Sequence, residues 1–145
     1  MDAQDTFRLF LSKHHLKITP ERLTVLKEIQ QCYKHFEPDS LFLRLKTQNK
    51  KISRATIYRT LDLLVESGLL KKLNFTDQNA RYEMNMDVRI HDHFFCVSCG
   101  KIIELYDESL QRIHKRIALK YNLKIDDYTH QLYGTCPQCR ISENR

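Results

Sequence analysis

Glycine and proline are scarce in this 145-residue chain, three of each, and neither an internal repeat nor a low-complexity tract is present. Sparse punctuation makes every turn-former informative. No run approaches the roughly 18 consecutive apolar residues of a membrane span. Met1 to Phe10 carries Asp2 and Asp5 without the basic, apolar pattern of an export signal. These absences predict a cytoplasmic protein with no membrane partner. In a reducing cytoplasm, cysteines at regular spacing are read as metal ligands or catalytic thiols before disulfides. The H-E-x-x-H helix motif is also missing, and no general base beside a substrate pocket can be read, so a zinc hydrolase finds no support.

What is present is an uneven charge. Residues 1–85 hold 15 Lys and Arg against 10 Asp and Glu, whereas residues 86–145 hold 9 against 8. A basic first part joined to a nearly neutral, cysteine-bearing second part suggests a polyanion partner for the first. The local signals agree. Thr19-Pro20 reads as a helix start, with Leu23, Leu26, Ile29 and Tyr33 at helical spacing. Glu37-Pro38 opens a second helix, and Ser53 caps a third that runs to Ser67 before Gly68. In that third helix Ile57, Leu61, Leu64 and Val65 form one apolar stripe, leaving Ala55, Arg59, Asp62 and Glu66 on the far side and Tyr58 on the flank. Leu69 to Phe75 and Ala80 to Met84 then read as a hairpin. Three helices and a hairpin give the winged-helix order, whose third helix enters the major groove of double-stranded DNA.

The expected organisation is α+β: a winged-helix DNA-binding domain over residues 1–85, a hinge over 86–90, and a small α/β domain over 91–145. In the second domain, strands are expected at His91 to Cys96, Lys101 to Leu105 and Lys124 to Tyr133, with an amphipathic helix from Ser109 to Tyr121.

Cys96-Val97-Ser98-Cys99 and Cys136-Pro137-Gln138-Cys139 carry the strongest chemistry. Two C-x-x-C pairs supply four thiolates, the donor set of tetrahedral structural zinc. The competing reading is a thioredoxin-like redox motif, which needs one pair where two occur. A filled four-cysteine site has no open position for water, so it stabilises without catalysing. His91-Asp92-His93 comes next. Strand alternation puts His91 and His93 on one face and Asp92 with Cys96 on the other. A hairpin turning through Val97 to Gly100 pairs Phe95 with Ile102 and sets His93 opposite Glu104. Two imidazoles and a carboxylate suit Fe(II), Mn(II), Zn(II) or Co(II). From spacing alone, surface histidines on an edge strand remain the alternative.

Leu16-Lys17-Ile18-Thr19-Pro20-Glu21-Arg22, Ser53 through Leu61, His91-Asp92-His93 with Cys96-x-x-Cys99-Gly100-Lys101, and Tyr133-Gly134 before Cys136 are similar, in order and spacing, to the ferric uptake regulator family. The resemblance covers nearly the whole chain. It implies a homodimeric, metal-dependent repressor with zinc on the four cysteines and a regulatory Fe(II) or Mn(II) near the hinge, a site zinc can fill in vitro. The regulatory ligands it implies are His35, Glu83, His91, His93 and Glu104. The two-fold partner is then a palindromic DNA operator, with no small-molecule substrate. Base readout is expected from Tyr58 and Arg59, supported by Arg54 and Thr56, and the resemblance adds Lys17 in the minor groove.

Departures from the family pattern also matter. A further metal site of some members maps to Ile90, Asp92, Gln111 and Tyr128, of which only Asp92 can coordinate, so that site is not expected. His130 is the alternative ligand for that further site but is read first as a surface histidine; His14, His15 and His114 are read as solvated, and Cys32 as a small buried residue. Between iron and peroxide as signal, Glu104 and Arg59 favour iron, and the missing further site favours peroxide. The rival from another class is a zinc-dependent enzyme or thiol oxidoreductase. Metal-dependent DNA binding without turnover separates the two.

Overall fold

The computed structural model describes residues 1–32, 35–77, 79–85 and 92–145. The chain divides into two compact units, Met1–Asp87 and Val88–Arg145. The hinge expected at residues 86–90 lies outside the described residues. Among those described, no helix is long and apolar enough to cross a membrane.

The first unit contains α1 (Ala3–Lys13), α2 (Pro20–Gln31), α3 (Pro38–Thr47), α4 (Arg54–Glu66), β1 (Leu70–Asn74) and β2 (Ala80–Met84). It therefore has one helix more than the three expected. The signals of α1 lie in its own residues. The Asp2 side chain accepts the Asp5 backbone N–H at 2.8 Å, and Ala3, Phe7 and Leu11 recur every four residues to bury one face. Thr19 caps α2 with Pro20 in its first turn, and Ser53 accepts the Thr56 N–H at 3.1 Å to start α4. Gly68, at φ +79°, adopts the left-handed conformation that closes α4, and Leu69 N–H returns to the Leu64 carbonyl at 3.0 Å.

Leu26, Ile29, Leu41, Leu45, Ile57, Leu61 and Leu64 complete a core with Phe7 and Leu11. The wing pairs β1 with β2 antiparallel, Leu70 opposite Met84 through Asn74 opposite Ala80. Phe36 adds an isolated antiparallel bridge to Tyr82, with reciprocal N–H to carbonyl bonds of 3.0 and 2.9 Å. That bridge fixes the segment before α3 against the wing.

The second unit contains β3 (Asp92–Cys96), β4 (Ile102–Leu105), α5 (Glu108–Tyr121), β5 (Gln131–Gly134) and α6 (Pro137–Glu143). Its sheet has the order β4-β3-β5, antiparallel on the β4 side and parallel on the β5 side. The β3–β4 register pairs Phe95 with Ile102 and His93 with Glu104, as the turn length predicts. Gly100, at φ +75°, makes that turn, and its N–H donates to the Cys96 carbonyl at 2.8 Å.

The strand expected over Lys124 to Tyr133 is much shorter. Residues 123–130 form no ladder, and the Asp127 carboxylate accepts the Tyr128 N–H at 2.8 Å, a local bond that competes with strand pairing. Helix α6 was not expected; it starts at Pro137, inside the second cysteine pair.

Candidate metal centres and nucleic-acid face

Strand β3 delivers Cys96 at its end, the turn supplies Cys99, and the segment from β5 into α6 supplies Cys136 and Cys139. One sulfur from each residue lies within 4.8 Å of the others, and Cys99 and Cys136 are 3.8 Å apart. Sulfurs on a tetrahedral zinc with bonds near 2.3 Å stand about 3.8 Å from one another, so the four residues fit that ion. Backbone bonds hold the two arms together: Val97 N–H donates to the Gly134 carbonyl at 2.8 Å, and Cys136 N–H donates to Cys96 Sγ at 3.3 Å. Gly134 allows the approach, since a Cβ there would meet the Phe94 ring at 3.3 Å.

The electrostatics are those of a cluster short of positive charge. The N–H groups of Cys136 and Cys99 lower the Cys96 thiol to about 6. The neighbouring sulfurs of Cys136 and Cys99 push Cys139 up to about 12. Four sulfurs this close favour joint ionisation only around a cation, which is what a structural zinc supplies when bound.

The mixed-donor residues are distributed over both units. In the first, the Phe36–Tyr82 bridge sets the flanking residues His35 and Glu83 across from each other, and His35 Nε2 lies 2.9 Å from Glu83 Oε2. Glu83 is 4% exposed. A carboxylate so buried requires a positive or hydrogen-bonding partner. In the second unit His93 is 7% exposed and is paired with Glu104 across β3–β4, while Glu104 itself is exposed. His91 lies outside the described residues. Each unit thus presents an imidazole and a carboxylate, a donor set that fits Fe(II), Mn(II), Zn(II) or Co(II).

The outer face of α4 exposes Ala55, Tyr58, Arg59, Asp62 and Glu66, with Thr56 half-buried. Arg59, Thr56, Arg22 and Lys51 line a cleft of about 470 Å³ at the start of α4. Lys17 is exposed, and its carbonyl accepts from the Arg22 guanidinium. Arg54 is engaged inside the unit, paired with Asp39 and lying 4.3 Å from the Phe42 ring centroid. Its expected DNA contact therefore competes with a role in joining α3 to α4.

The structure corrects two expectations, for the solvated histidines and for Cys32. His114 is half-buried against the Tyr128 ring at 4.1 Å, with its Nε2 3.0 Å from that of His130, so neither imidazole is simply solvated. The signal was present: Leu110, His114 and Ile117 share the apolar spacing of α5. Cys32 is the C-cap of α2 and only half-buried; Arg44 donates to its sulfur at 3.3 Å, and burial raises its thiol. Gln111 and Tyr128, at positions where a further site was not expected, hydrogen-bond to each other.

The ferric uptake regulator family model matches residues 13–133. The ferric uptake regulation protein of Synechococcus elongatus is 33% identical over 134 residues, 91% of each chain. Among solved structures, the Helicobacter pylori ferric uptake regulator, described as having three functional metal-binding sites, superposes with a TM-score of 0.86 at 25% identity, covering 94% of this chain and 91% of that one. The Campylobacter jejuni peroxide stress regulator gives 0.70 at 30% identity, covering 96% and 100%.

Proposed function

From the premise that this chain belongs to the ferric uptake regulator family, we propose that it is a cytoplasmic, homodimeric repressor that binds a palindromic operator when loaded with Fe(II). The observation that carries the metal dependence is the buried His93 set directly opposite Glu104. With His91, His35 and Glu83 these residues would hold the regulatory ion, for which Mn(II) could substitute; Cys96, Cys99, Cys136 and Cys139 would hold the structural zinc. A cation bound there would supply the positive charge that carboxylates and imidazoles coordinate.

The protein's residues do the rest. His35 and Glu83 report the position of the wing and the segment before α3, and His93 and Glu104 report that of the sheet. Coupling them selects the arrangement in which two α4 helices reach half-sites about 34 Å apart. Tyr58 packs on thymine methyls, Arg59 reaches guanine or phosphate, Thr56 and Arg54 support them, and Lys17 enters the minor groove. A second copy is favoured by the apolar side chains that one chain leaves exposed in this unit: Ile113 and Ile117 on α5 are each 38% exposed and Leu132 on β5 56%.

The test is operator binding by the zinc-replete chain, with Fe(II) or Mn(II) added and then removed by a chelator too weak to strip the cysteine site. Binding should appear with the added ion and disappear with the chelator. Binding indifferent to both sinks the reading, as does turnover of a substrate.

A further inference from the structure

Two histidines of the second unit meet outside the centres described above. His114 sits in the middle of α5 and His130 immediately precedes β5. Their Nε2 atoms are 3.0 Å apart, and the rings cross at 88° with centroids 4.9 Å apart. Tyr128 walls the pair, its ring centroid 4.1 Å from that of His114 and 5.2 Å from that of His130. The Gln111 amide donates to the Tyr128 hydroxyl, which holds the phenol in place.

Hydrogen bonding alone leaves this arrangement unsatisfied. A neutral imidazole has one N–H and one bare nitrogen. Nδ1 of His114 is shielded from solvent and meets no partner among the described residues. With the proton on Nε2, a buried lone pair is unmet; with it on Nδ1, a buried N–H is unmet. Two protonated rings are excluded as well, since both nitrogens would be donors at 3.0 Å. An ion held by Nε2 would fix the His114 proton on Nδ1, so it is the facing Nε2 atoms, 3.0 Å apart, that point to a ligand.

The pair offers two ring nitrogens aimed at a common point. Nitrogens bound to one tetrahedral ion at about 2.0 to 2.1 Å stand roughly 3.3 Å apart. The rings need part by only a few tenths of an ångström to admit a cation. Imidazole selects zinc, nickel, copper or ferrous ions over magnesium and calcium, which prefer oxygen.

We propose that His114 and His130 form an additional metal site, a two-imidazole chelate for a divalent transition-metal cation such as Zn(II) or Ni(II), with solvent completing the coordination. Occupancy ties the middle of α5 to the segment that feeds β5. His93 N–H donates to the His130 carbonyl at 3.4 Å, so the same ion also braces the strand that carries His93. The site stands independently of the proposed regulatory centre.

Titrate the zinc-replete full chain with Ni(II) by calorimetry in a His93→Ala background, which removes the proposed regulatory ion from the count, and verify by metal analysis that the cysteine zinc remains. One further Ni(II) per chain is expected. His114→Ala and His130→Ala should each weaken it by about tenfold or more, since a ligand is worth at least as much as the outer-shell groups that support one, and His14→Ala should leave it unchanged. No uptake beyond the zinc, or unchanged affinity in both variants, overturns the proposal. A second measurement needs no variant. In the wild-type chain, paramagnetic Ni(II) should broaden the imidazole NMR signals of His114 and His130 together, and sharp signals from both at saturation overturn it equally.

Discussion

Cys96 shows how one side chain can be read at several levels. The C-x-x-C spacing announces a thiolate, strand alternation puts it on the face opposite His93, and the structure adds its backbone donors from Cys136 and Cys99. Those donors hold its folded thiol at about 6, below the ordinary 9.0. A lowered acid of this kind contributes stability at pH values above its unfolded value, and the contribution is lost as pH falls through about 6. Cys139, pushed up to about 12, stays a thiol at neutral pH until a cation displaces its proton. Zinc uptake at pH 7 should therefore release protons, and zinc loss to a chelator should steepen as pH falls through 6. Cys96→Ser and Cys136→Ser should lose the ion and lower the melting temperature of the dimer; retention of one zinc per chain in both variants would refute the assignment. His35 and Glu83 were less legible. Their proximity depends on the bridge between Phe36 and Tyr82, a pairing too distant in sequence for local periodicity to announce, so only the family resemblance pointed to them.

At the scale of elements, helix ends with a side-chain cap and a turn residue were readable. Ser53 and Gly68 bracket α4 in the sequence as they do in the structure. The β3–β4 register was readable because a short turn of fixed length leaves a single pairing. Helix α1 escaped because its start carries no proline or glycine, only Asp2 and a stripe of three buried residues. Residues 124–130 misled because Ile125, Tyr128 and Thr129 favour strands without saying which neighbour would pair with them.

The exposed face of α4 carries the next prediction. If Arg59 makes a bidentate base contact, Arg59→Ala should cost about 1 to 3 kcal/mol of sequence preference. Lys50→Ala, in the turn before α4, should weaken all sequences alike and flatten the salt dependence. An unchanged ratio of operator to random-DNA affinity in Arg59→Ala would exclude it from readout. Arg54→Ala is expected to act partly by loosening α3 from α4, because its guanidinium already engages Asp39 and Phe42.

For the whole molecule, charge distribution and motif order set a basic, helical first part apart from a second part with two cysteine pairs, whereas the physiological signal was not legible. Iron and peroxide regulators share this fold, and relatives of both kinds superpose on the chain. The deciding chemistry lies at the proposed regulatory ion, where Glu104 faces His93. A carboxylate there governs both how tightly the ion is held and how it meets peroxide. The comparison to make is Fe(II)-loaded against Mn(II)-loaded wild type, before and after brief peroxide, followed by operator binding and intact mass. An iron sensor, the proposed class, releases DNA on chelation and gains little oxygen at His35 or His91. A peroxide sensor gains one oxygen, about 16 Da, on one of those histidines in the iron form alone and loses operator binding with it, because manganese does not deliver the oxidant to its ligand. Rapid iron-dependent histidine oxidation at low peroxide would transfer the chain to the peroxide class while leaving the repressor intact. Indifference to both treatments would remove the regulatory ion altogether.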